Sequence, residues 1–534
     1  MQRRNKKRLK CQKCLQEFGE LKAVHGVHHA ASAENPPFDR LLWAVLVIGA
    51  TIGGAKSILD VYQQYILGLT KTTISTIMYP HAYIPFPAVS VCEPSRVQFD
   101  KLHEMQFYEE LDGTSRQDID EIFSVLSVVK FGGFDVLETL NHTQEYYSKY
   151  SFINLNDILN ETRRPCEEMF DENDNNRCWW RNNFFNCCEG FELQQTSHGY
   201  CYSFNSDVSA ESKKLSLTYG LYDDDNFWVD WREEKRPRRT ITDGPWSGLR
   251  FTIKTLPIPD GVDAEQGVLV LLDDPSAYNA QNVIFIKEGL SGDIEVWGDA
   301  VKTSERLGAV SAEKRNCFFP FETKRMNRGY LQKNCITECC LDHAVEFCNC
   351  TPDFMFQPFD EGNVRPACDI MGLICLMKHN VALSNERLKS KSPPMPMEDE
   401  SILCDCPEDC DEQMYDASLS TSISTGGENT IQVDVHFRSS FCIQYQTDLV
   451  FSFMDALISF GNSAGLFLGV SLLGVADILL FFIIRCFRLF RFFRALRVPV
   501  KVSPKGFEKN KKELKRDAPF YIDDYVRAKN KLKV

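Results

Sequence analysis

The sequence lacks every short pattern that would identify a familiar catalytic or nucleotide-binding site. Its 534 residues contain no GxSxG, HExxH, Walker or dinucleotide-binding motif in a suitable context. No repeat of about 20–50 residues is apparent either. Because 43% of the residues are hydrophobic and 12% are aromatic, a wholly disordered chain is excluded. Catalysis has no positive support, so we expect neither an enzyme nor a cofactor.

The chain also lacks an overall excess of positive charge. Its net charge of −14 argues against a general nucleic-acid binder, because a polyphosphate would be repelled. The charge is uneven, however: nine basic and four acidic residues lie in 1–40, and sixteen basic and five acidic residues lie in 485–534. Each basic end adjoins a strongly apolar segment. We therefore interpret the ends as cytoplasmic tails beside a membrane and expect no nucleic-acid partner.

Long runs without charge are scarce, and the first begins at residue 41. Residues 41–55 form fifteen uncharged positions, and the apolar pattern continues to about residue 65, with Lys56 and Asp60 spaced to pair on a helix. We predict a first transmembrane helix at 41–65, after a cytosolic tail at 1–40. A buried soluble helix and the apolar region of a signal peptide are the alternatives. Forty residues precede the run and no small-residue cleavage site follows it, which disfavours the signal peptide.

The second apolar segment covers residues 449–484, where Asp455 and Asp477 are the charged positions. As one helix it would be about 54 Å long, against an apolar membrane thickness of about 30 Å. The segment must therefore project outside, tilt strongly or break. An arginine at every third position of 485–497 follows, which is typical of a cytosolic boundary at anionic lipids or of a simple stop-transfer signal. This predicts a second span at 449–484, an exterior domain at 66–448 and a basic cytosolic tail at 485–534.

Cysteines concentrate in the predicted exterior. Eighteen of the 21 lie between Cys92 and Cys442, and an even number in an oxidising compartment indicates disulfides. Zinc is the competing interpretation of the clusters within 317–410, but these clusters lack histidine partners and paired CxxC units. The sequence also has glycosylation sequons, which agree with exposure outside the cell. These sequons are at Asn141, Asn160 and Asn349.

Cys11, Cys14, His25 and His29 nearly match a zinc-finger spacing. The segment adjoins the predicted membrane span, which disfavours a zinc finger. We therefore interpret the cysteines as reduced bystanders or acylation sites and expect no metal. Elsewhere, short β-branched runs at 88–92, 249–256, 267–272 and 282–286 predict strands. Helical spacing occurs at 155–161 and 332–348.

The second apolar segment has features suited to a pore. Gly461, Gly465 and Gly469 recur every four residues and so share one helix face, where another backbone can approach closely. A helix-packing seam is one interpretation. The other is an interruption of the helix, at which the carbonyls of Gly469–Ser471 and the Ser471 hydroxyl replace part of a cation's hydration shell. Asp477 would add negative potential. Two spans cannot enclose a pore, so a channel requires an oligomer.

Several motifs occur in an order that resembles one family. They are His25-Gly26, the sequence FPAVSVC at 86–92, CCEGF beginning at Cys187, CYSFN at 201–205, the cysteine spacing from Cys335 to Cys410, and GLFLGVS at 465–471. Together they resemble the epithelial sodium channel/degenerin/acid-sensing ion channel family, and within it the pickpocket-type subunits of arthropods. The resemblance covers nearly the whole chain.

The resemblance implies an α+β membrane protein with two transmembrane helices flanking a large disulfide-rich, β-based ectodomain of palm, finger and thumb regions, the thumb at about 317–410. It implies a homotrimer or heterotrimer in the plasma membrane that passes sodium ions, is amiloride-sensitive and responds to an unknown extracellular ligand or to an osmotic or mechanical stimulus in sensory cells. The implied disulfides are Cys92–Cys201, Cys178–Cys187, Cys317–Cys410, Cys335–Cys406, Cys339–Cys404, Cys348–Cys375 and Cys350–Cys368. Cys166, Cys188, Cys340 and Cys442 stay unassigned.

The resemblance also implies residue roles in the pore. Gly469, Val470 and Ser471 would form the selectivity filter, and His25 and Gly26 would act in gating at the cytosolic mouth. The implied pore-lining residues are Ile458, Ser459, Gly461, Asn462, Gly465 and Asp477. This chain departs from the family at Gly19, where a cysteine is usual, and at Ile458, where a small residue is frequent.

Two other functions fit the same broad architecture. One is an ATP-gated trimeric channel, for which the only candidate triphosphate site is the basic cluster 235–239. The other is a non-conducting adhesion or signalling receptor, in which the glycines of the second span only pack helices.

Overall fold

The computed structural model describes residues 24–484 except 33, 68–69, 141, 171–177, 210–236, 260, 323–328, 357–364, 389–400, 425–428, 451 and 472. Cys11, Cys14, Cys486, Asn141 and the arginine run at 485–497 lie outside the described residues. The chain divides into two compact units. One combines the segments Met1–Leu67 and Phe451–Val534, and the other is Gly68–Val450.

Helices occur in both units. Two 3₁₀ turns, His81–Tyr83 and Phe134–Leu140, accompany them. In chain order the helices are α1 (Val27–Ala31), α2 (Pro37–Leu67), α3 (Phe99–His103), α4 (Gln106–Glu109), α5 (Gly113–Leu126), α6 (Gln144–Ser148), α7 (Leu155–Glu161), α8 (Cys166–Met169), α9 (Cys187–Gly190), α10 (Glu305–Gly308), α11 (Ala312–Arg315), α12 (Gln332–Cys348), α13 (Ile370–Lys378), α14 (Asn380–Ser384), α15 (Phe453–Leu468) and α16 (Leu473–Ile484).

All strands of the described residues belong to the unit Gly68–Val450. They are β1 (Thr70–Pro80), β2 (Ala88–Cys92), β3 (Cys178–Trp180), β4 (Asn183–Phe185), β5 (Phe191–Thr196), β6 (Gly199–Phe204), β7 (Leu249–Lys254), β8 (Gly267–Asp273), β9 (Asn282–Lys287), β10 (Leu290–Thr303), β11 (Cys317–Phe318), β12 (Glu386–Leu388), β13 (Ile402–Cys404), β14 (Glu408–Asp409), β15 (Glu412–Ile423), β16 (Thr430–Phe437) and β17 (Phe441–Leu449). The four predicted strand segments are confirmed as β2, β7, β8 and β9.

Two large sheets organise this unit. The larger has the order β1-β17-β10-β16-β7-β3-β4, with β15 paired to β10, and the smaller has the order β5-β6-β2-β8-β9. Antiparallel pairing of β1 with β17 begins at Thr70 and Leu449, so the two chain ends of the unit emerge side by side. Two short parallel pairs, β11–β14 and β12–β13, complete the described strands.

The main core of the β-rich region is aromatic and β-branched. Alternating residues of both large sheets fill it, and they are fully buried because successive strand side chains point to opposite faces. Phe86, Phe204, Phe251 and Phe437 are each at most 1% exposed. A second core joins the helices α3–α7 to α12 and α13 and includes Ile119, Phe123 and Leu373. The predicted helices at 155–161 and 332–348 are confirmed as α7 and α12.

Eight disulfides link the described cysteines of this unit. All seven pairs implied by the family resemblance are present. The eighth joins Cys166 to Cys188, which the sequence left unassigned. Cys340 and Cys442 are buried and keep their thiols, so the four unassigned cysteines do not all form disulfides.

The unit formed by the two ends of the chain contains the apolar helices. Helix α2 begins earlier and ends later than the predicted segment 41–65, and its part Pro37–Tyr65 is long and apolar enough to cross a membrane. The second predicted span is not one helix. Its first residue, Leu449, belongs to β17. Most of the remainder forms α15 and α16, which pass the same test only as a pair bent by 81°. Among the three ways to fit this segment to a membrane, the structure shows the break.

Candidate functional site

The break between α15 and α16 centres on Gly469. This residue caps α15 in the left-handed conformation, at φ +61°, and its N–H donates to the Gly465 carbonyl at 2.9 Å. Glycine adopts this conformation without the strain that a β-carbon introduces. The chain continues through Val470 and Ser471 before the next helix begins.

Ser471 acts as the N-cap of α16. Its hydroxyl oxygen accepts a hydrogen bond from the Gly474 N–H at 3.1 Å, and its carbonyl accepts one from the Val475 N–H at 2.9 Å. A helix N-terminus leaves backbone N–H groups unsatisfied, and serine is a preferred residue for binding them. Each of the two Ser471 oxygens retains a second lone pair. The proposed cation ligand therefore also fixes the start of the following helix.

The His25-Gly26 segment lies against this break. The His25 N–H donates to the carbonyl of Leu468 at 3.0 Å. A β-carbon built on Gly469 would lie 1.7 Å from Nδ1 of His25, so the imidazole occupies the space beside the glycine. Gly26 has φ +83°, and a β-carbon there would lie 2.8 Å from Cγ2 of Val47 on α2. Two predicted site elements from opposite ends of the chain are therefore in direct contact.

One face of α15 packs on α2. The hydroxyls of Ser57 and Ser463 are 3.0 Å apart and share a hydrogen bond. Phe467 lies over Gly53 and Gly54, where built β-carbons would come within 2.9 Å and 3.2 Å of its side chain. Sequence reasoning missed this contact. The signal available for it was the adjacent pair of glycines in an apolar segment, since small residues let helices approach closely.

The opposite face of α15 carries four of the predicted pore-lining residues. Ile458, Gly461, Asn462 and Gly465 follow the i, i+3, i+4, i+7 spacing of one helix face. At about 100° per residue, this face is centred about 180° from Ser463 and Phe467. Ile458 is 56% exposed, and no atom lies within 4 Å of a β-carbon built on Gly461. One chain therefore leaves this face of α15 uncovered.

The other two predicted pore-lining residues lie elsewhere. Ser459 follows Ile458 and is rotated about 100° from it around α15, between the packed and the uncovered face. Asp477 is exposed on α16. The structure therefore groups Gly469, Val470 and Ser471 with His25 and Gly26, and it places four residues of the predicted lining on a separate common face.

A group of acidic residues surrounds the start of α12 in the other unit. The Lys333 ammonium contacts Asp273 at 2.6 Å, and the Gln332 N–H donates to both carboxylate oxygens of Asp409 at 3.0 Å. Burial raises the pKa of Asp409 to about 7 and that of Asp274 to about 6, because a buried carboxylate loses the stabilisation that water gives to its charge. Both groups change charge near neutral pH.

Residues that could serve a triphosphate site or a metal site make structural contacts instead. In the predicted triphosphate cluster, Lys235 and Arg236 lie outside the described residues. Arg239 donates to the carbonyl of Tyr83 at 2.8 Å, and the Arg238 guanidinium lies 4.6 Å from the centre of the Phe204 ring. Within the described part of the chain, one group of three residues has the spacing of metal ligands, but two of the three are the disulfide partners Cys348 and Cys375.

Comparisons with known proteins give matches over most of the chain. A family model described as "Amiloride-sensitive sodium channel" matches residues 18–481. Pickpocket protein 19 of Drosophila melanogaster is 23% identical over 85% of this chain and 88% of its own length. Sodium channel protein Nach of Drosophila ananassae is 22% identical over 87% of this chain and 86% of its own length. The bile acid-sensitive ion channel of Mus musculus is 22% identical over 92% of both chains.

The matched region contains the His25-Gly26 segment, the disulfide-rich unit and the break at Gly469. Members of this family are plasma-membrane ion channels rather than enzymes; they are oligomeric and pass sodium ions. The chain described above belongs to the amiloride-sensitive sodium channel family.

Proposed function

We propose that this chain is a subunit of a trimeric, sodium-permeable and amiloride-sensitive cation channel with both termini in the cytoplasm. The observation that carries the proposal is the contact between His25 and the break at Gly469–Ser471. Both ends of the chain contribute to the segment between α15 and α16, where the backbone departs from the regular helical hydrogen-bond pattern. Such irregular backbone is tolerated at membrane depth where it is buried or lines water.

Assembly of several copies supplies the pore in this proposal. Two spans from one chain cannot enclose a water-filled path. The α15 face with Ile458, Gly461, Asn462 and Gly465 is opposite the face that contacts α2, so it is available to line a central path when copies associate. The carbonyls of Gly469 and Val470 and the Ser471 hydroxyl then replace part of the water around a passing sodium ion. Asp477 adds negative potential on the cytoplasmic side.

Gating, in this proposal, changes the separation of the α15 helices. The large unit Gly68–Val450 receives an extracellular chemical, osmotic or mechanical stimulus in sensory cells. Pairing of β1 with β17 supports a direct mechanical connection, because these strands are the ends of the unit that continue towards α2 and α15 along the chain. His25 and Gly26 hold the break in one conformation and so take part in opening.

The test is voltage-clamp recording of the chain, alone and with sister subunits, under sodium replacement and amiloride. We expect Ser471→Tyr and Gly469→Asp to abolish the current or its sodium selectivity while surface expression is retained. Ser471→Thr keeps a hydroxyl for the Gly474 N–H and serves as the matched control, with selectivity close to that of the unmodified chain. Unchanged sodium selectivity in both disruptive variants would refute the assignment of the filter.

A further inference from the structure

The disulfide Cys348–Cys375 differs from the others of the unit Gly68–Val450 in its exposure. Cys348 is the last residue of α12, Cys375 lies in α13, and both are partly exposed. In each of the other seven disulfides that the structure describes, at least one cysteine is buried. A reductant therefore reaches this bond more readily, and exposed disulfides are in general the easier ones to reduce.

A histidine lies beside the two sulfurs. A ring nitrogen of His379 and the sulfurs of Cys348 and Cys375 all lie within 4.8 Å of one another. His379 follows Cys375 by four residues, a spacing that places two side chains on one face of a helix. The fold brings Cys348 to them from the end of α12. Sequence reasoning found no histidine partner for the cysteine clusters, because spacing alone does not show that these helix ends meet.

The imidazole of His379 is positioned without use of its nitrogens. Its ring stacks on the ring of Phe347, with the two centroids 4.8 Å apart. Among the residues that the structure describes, the ring nitrogens of His379 form no hydrogen bond and no ion pair. A neutral imidazole has a nitrogen lone pair that can bind a metal ion. That lone pair is therefore available beside the disulfide.

Neighbouring contacts would hold the three groups together after the disulfide is reduced. The disulfide Cys350–Cys368 joins the residues that follow α12 to those that precede α13. Leu341 of α12 and Leu373 of α13 belong to one buried core. Reduction of the exposed disulfide alone therefore leaves the two helices packed. Groups that are already close lose little conformational freedom when they bind a common ion.

We propose that Cys348, Cys375 and His379 form a redox-controlled binding site for one soft divalent cation, zinc under extracellular conditions. A dithiol breaks the disulfide: it passes two electrons and two protons to the cysteine sulfurs and itself becomes a disulfide. The cation then binds both sulfurs, whose two protons go to water, and the free nitrogen of the imidazole. Thiolate and imidazole are ligands that zinc prefers.

The spacing of the three groups suits such an ion. Tetrahedral zinc has bonds of about 2.3 Å to sulfur and about 2.0–2.1 Å to nitrogen, which place its ligand atoms about 3.3–3.8 Å apart. Small rotations of partly exposed side chains reach that spacing from the present arrangement within 4.8 Å. Water completes the fourth position. Because binding releases two protons, the affinity should fall as the pH is lowered.

The first measurement uses cadmium as the probe and the purified full-length chain as the protein. The chain is reduced briefly with dithiothreitol, which is then removed under argon. Iodoacetamide labelling and mass spectrometry of one portion should find Cys348 and Cys375 as the first disulfide pair to be opened. Thiolate-to-cadmium absorption of another portion should show one more bound ion than the oxidised chain, whose free thiols give the background. Earlier opening of another pair, or equal absorption of both forms, would overturn the proposal.

Histidine variants assign the third ligand. His379→Gln keeps both cysteines and should weaken cadmium binding by the reduced chain at least tenfold. His343→Gln is the matched control, because His343 stacks on the other side of the contact with Phe347 and is not part of the three-residue group. Its cadmium affinity should equal that of the unmodified chain. Equal affinities of His379→Gln and the unmodified chain would contradict the assignment.

A measurement on the unmodified chain covers the case in which His379→Gln does not fold. Cadmium added to the reduced chain should protect Cys348 and Cys375 from iodoacetamide and His379 from diethyl pyrocarbonate, whereas His343 should stay reactive. Mass spectrometry reads each residue separately. Equal labelling of His379 with and without cadmium would overturn the proposal. None of these measurements depends on ion conduction, so the metal site is tested independently of the proposed channel.

Discussion

Gly469 is the residue at which two distant motifs constrain each other. Its positive φ favours glycine, and the space where a β-carbon would lie is occupied by the imidazole of His25. Any other residue must move His25, whose backbone N–H is bonded to the carbonyl of Leu468. The His25-Gly26 segment and the break therefore behave as one structural unit, and a substitution in one is felt by the other.

Asp409 gives a pH dependence that can be measured at the scale of one residue. Its pKa of about 7 in the folded chain exceeds the value of about 4 of an unfolded aspartate. The folded state therefore binds more protons between these values, and the free energy of unfolding decreases as the pH rises through this window. We expect Asp409→Asn to raise the unfolding temperature by a few degrees at pH 8 and to have little effect at pH 4.

Thermal unfolding of the full-length chain from pH 4 to pH 8 measures this difference. Asparagine retains an oxygen that accepts from the Gln332 N–H, so the hydrogen bond is preserved. The control is Glu408→Gln, which removes the carboxylate of the exposed neighbour, and it should not reproduce the gain in unfolding temperature that Asp409→Asn shows at pH 8. A difference between Asp409→Asn and the unmodified chain that does not change with pH would contradict the prediction.

Residue identities predicted some contacts but not others. The resemblance implied seven disulfides that the structure contains, because the order of cysteines in a known framework carries the pairing. Four unassigned cysteines allow three complete pairings, and nothing in their spacing distinguishes them. In the structure, Cys166 and Cys188 bring their α-carbons within 5.8 Å, while Cys340 and Cys442 keep thiols. That distinction depends on the three-dimensional path of the chain.

At the scale of elements, the length of the second apolar segment predicted an irregularity without locating it. The boundaries come from local backbone chemistry. Ser452 and Asp455 form a capping box that begins α15, and Gly469 ends it. Another missed signal is Asp112, whose side chain accepts from the Ser115 N–H and begins α5. Helix α5 was not predicted, although its buried Ile119, Ile122, Phe123 and Leu126 follow helical spacing.

The contact between α2 and α15 leads to a prediction at the same scale. A β-carbon on Gly53 would lie 2.9 Å from Cε1 of Phe467, so Gly53→Val should push the two helices apart. Because the break at Gly469 follows directly after Phe467, we expect a large loss of sodium current at retained surface expression. Cell-surface biotinylation combined with current recording measures both quantities.

Two further variants distinguish this packing from a general effect of a larger side chain. Phe467→Ala in the Gly53→Val background removes the ring that the valine would contact, and it should restore a substantial part of the current. Gly49→Val is the matched control, because no atom lies within 4 Å of a β-carbon built on Gly49. Equal losses at Gly49 and Gly53 would count against close packing as the cause.

At the scale of the molecule, the composition indicated how the chain is divided, whereas the order of the strands could not be predicted from it. The uneven charge and the scarcity of long apolar runs predicted a large central unit between two apolar segments. In the structure, the compact unit Gly68–Val450 follows α2 and precedes α15 along the chain. The sheet order was not predictable. Strand β10 pairs with β15, β16 and β17, and the pairings with β16 and β17 are parallel, which depends on contacts between distant segments.

Topology across the membrane is the molecular-scale prediction. Asn160 and Asn349 are exposed in the unit Gly68–Val450, and each heads a sequon. If the unit is extracellular, both side chains receive glycans in cells, and removal of N-glycans should increase the electrophoretic mobility of the chain. Replacing either asparagine with glutamine should abolish part of that change, and replacing both should abolish the contributions of these two sites.

Epitope tags at the two ends complete the experiment. With both termini in the cytoplasm, antibodies should reach them only after the cells are permeabilised, whereas a tag within the extracellular unit should be reached in intact cells. The side-by-side ends of β1 and β17 require that the chain leave and re-enter this unit at one place, which suits two crossings of the same membrane. If antibodies reach only one terminal tag in intact cells, the chain crosses the membrane an odd number of times. In that case α15 and α16 do not form a membrane-spanning pair.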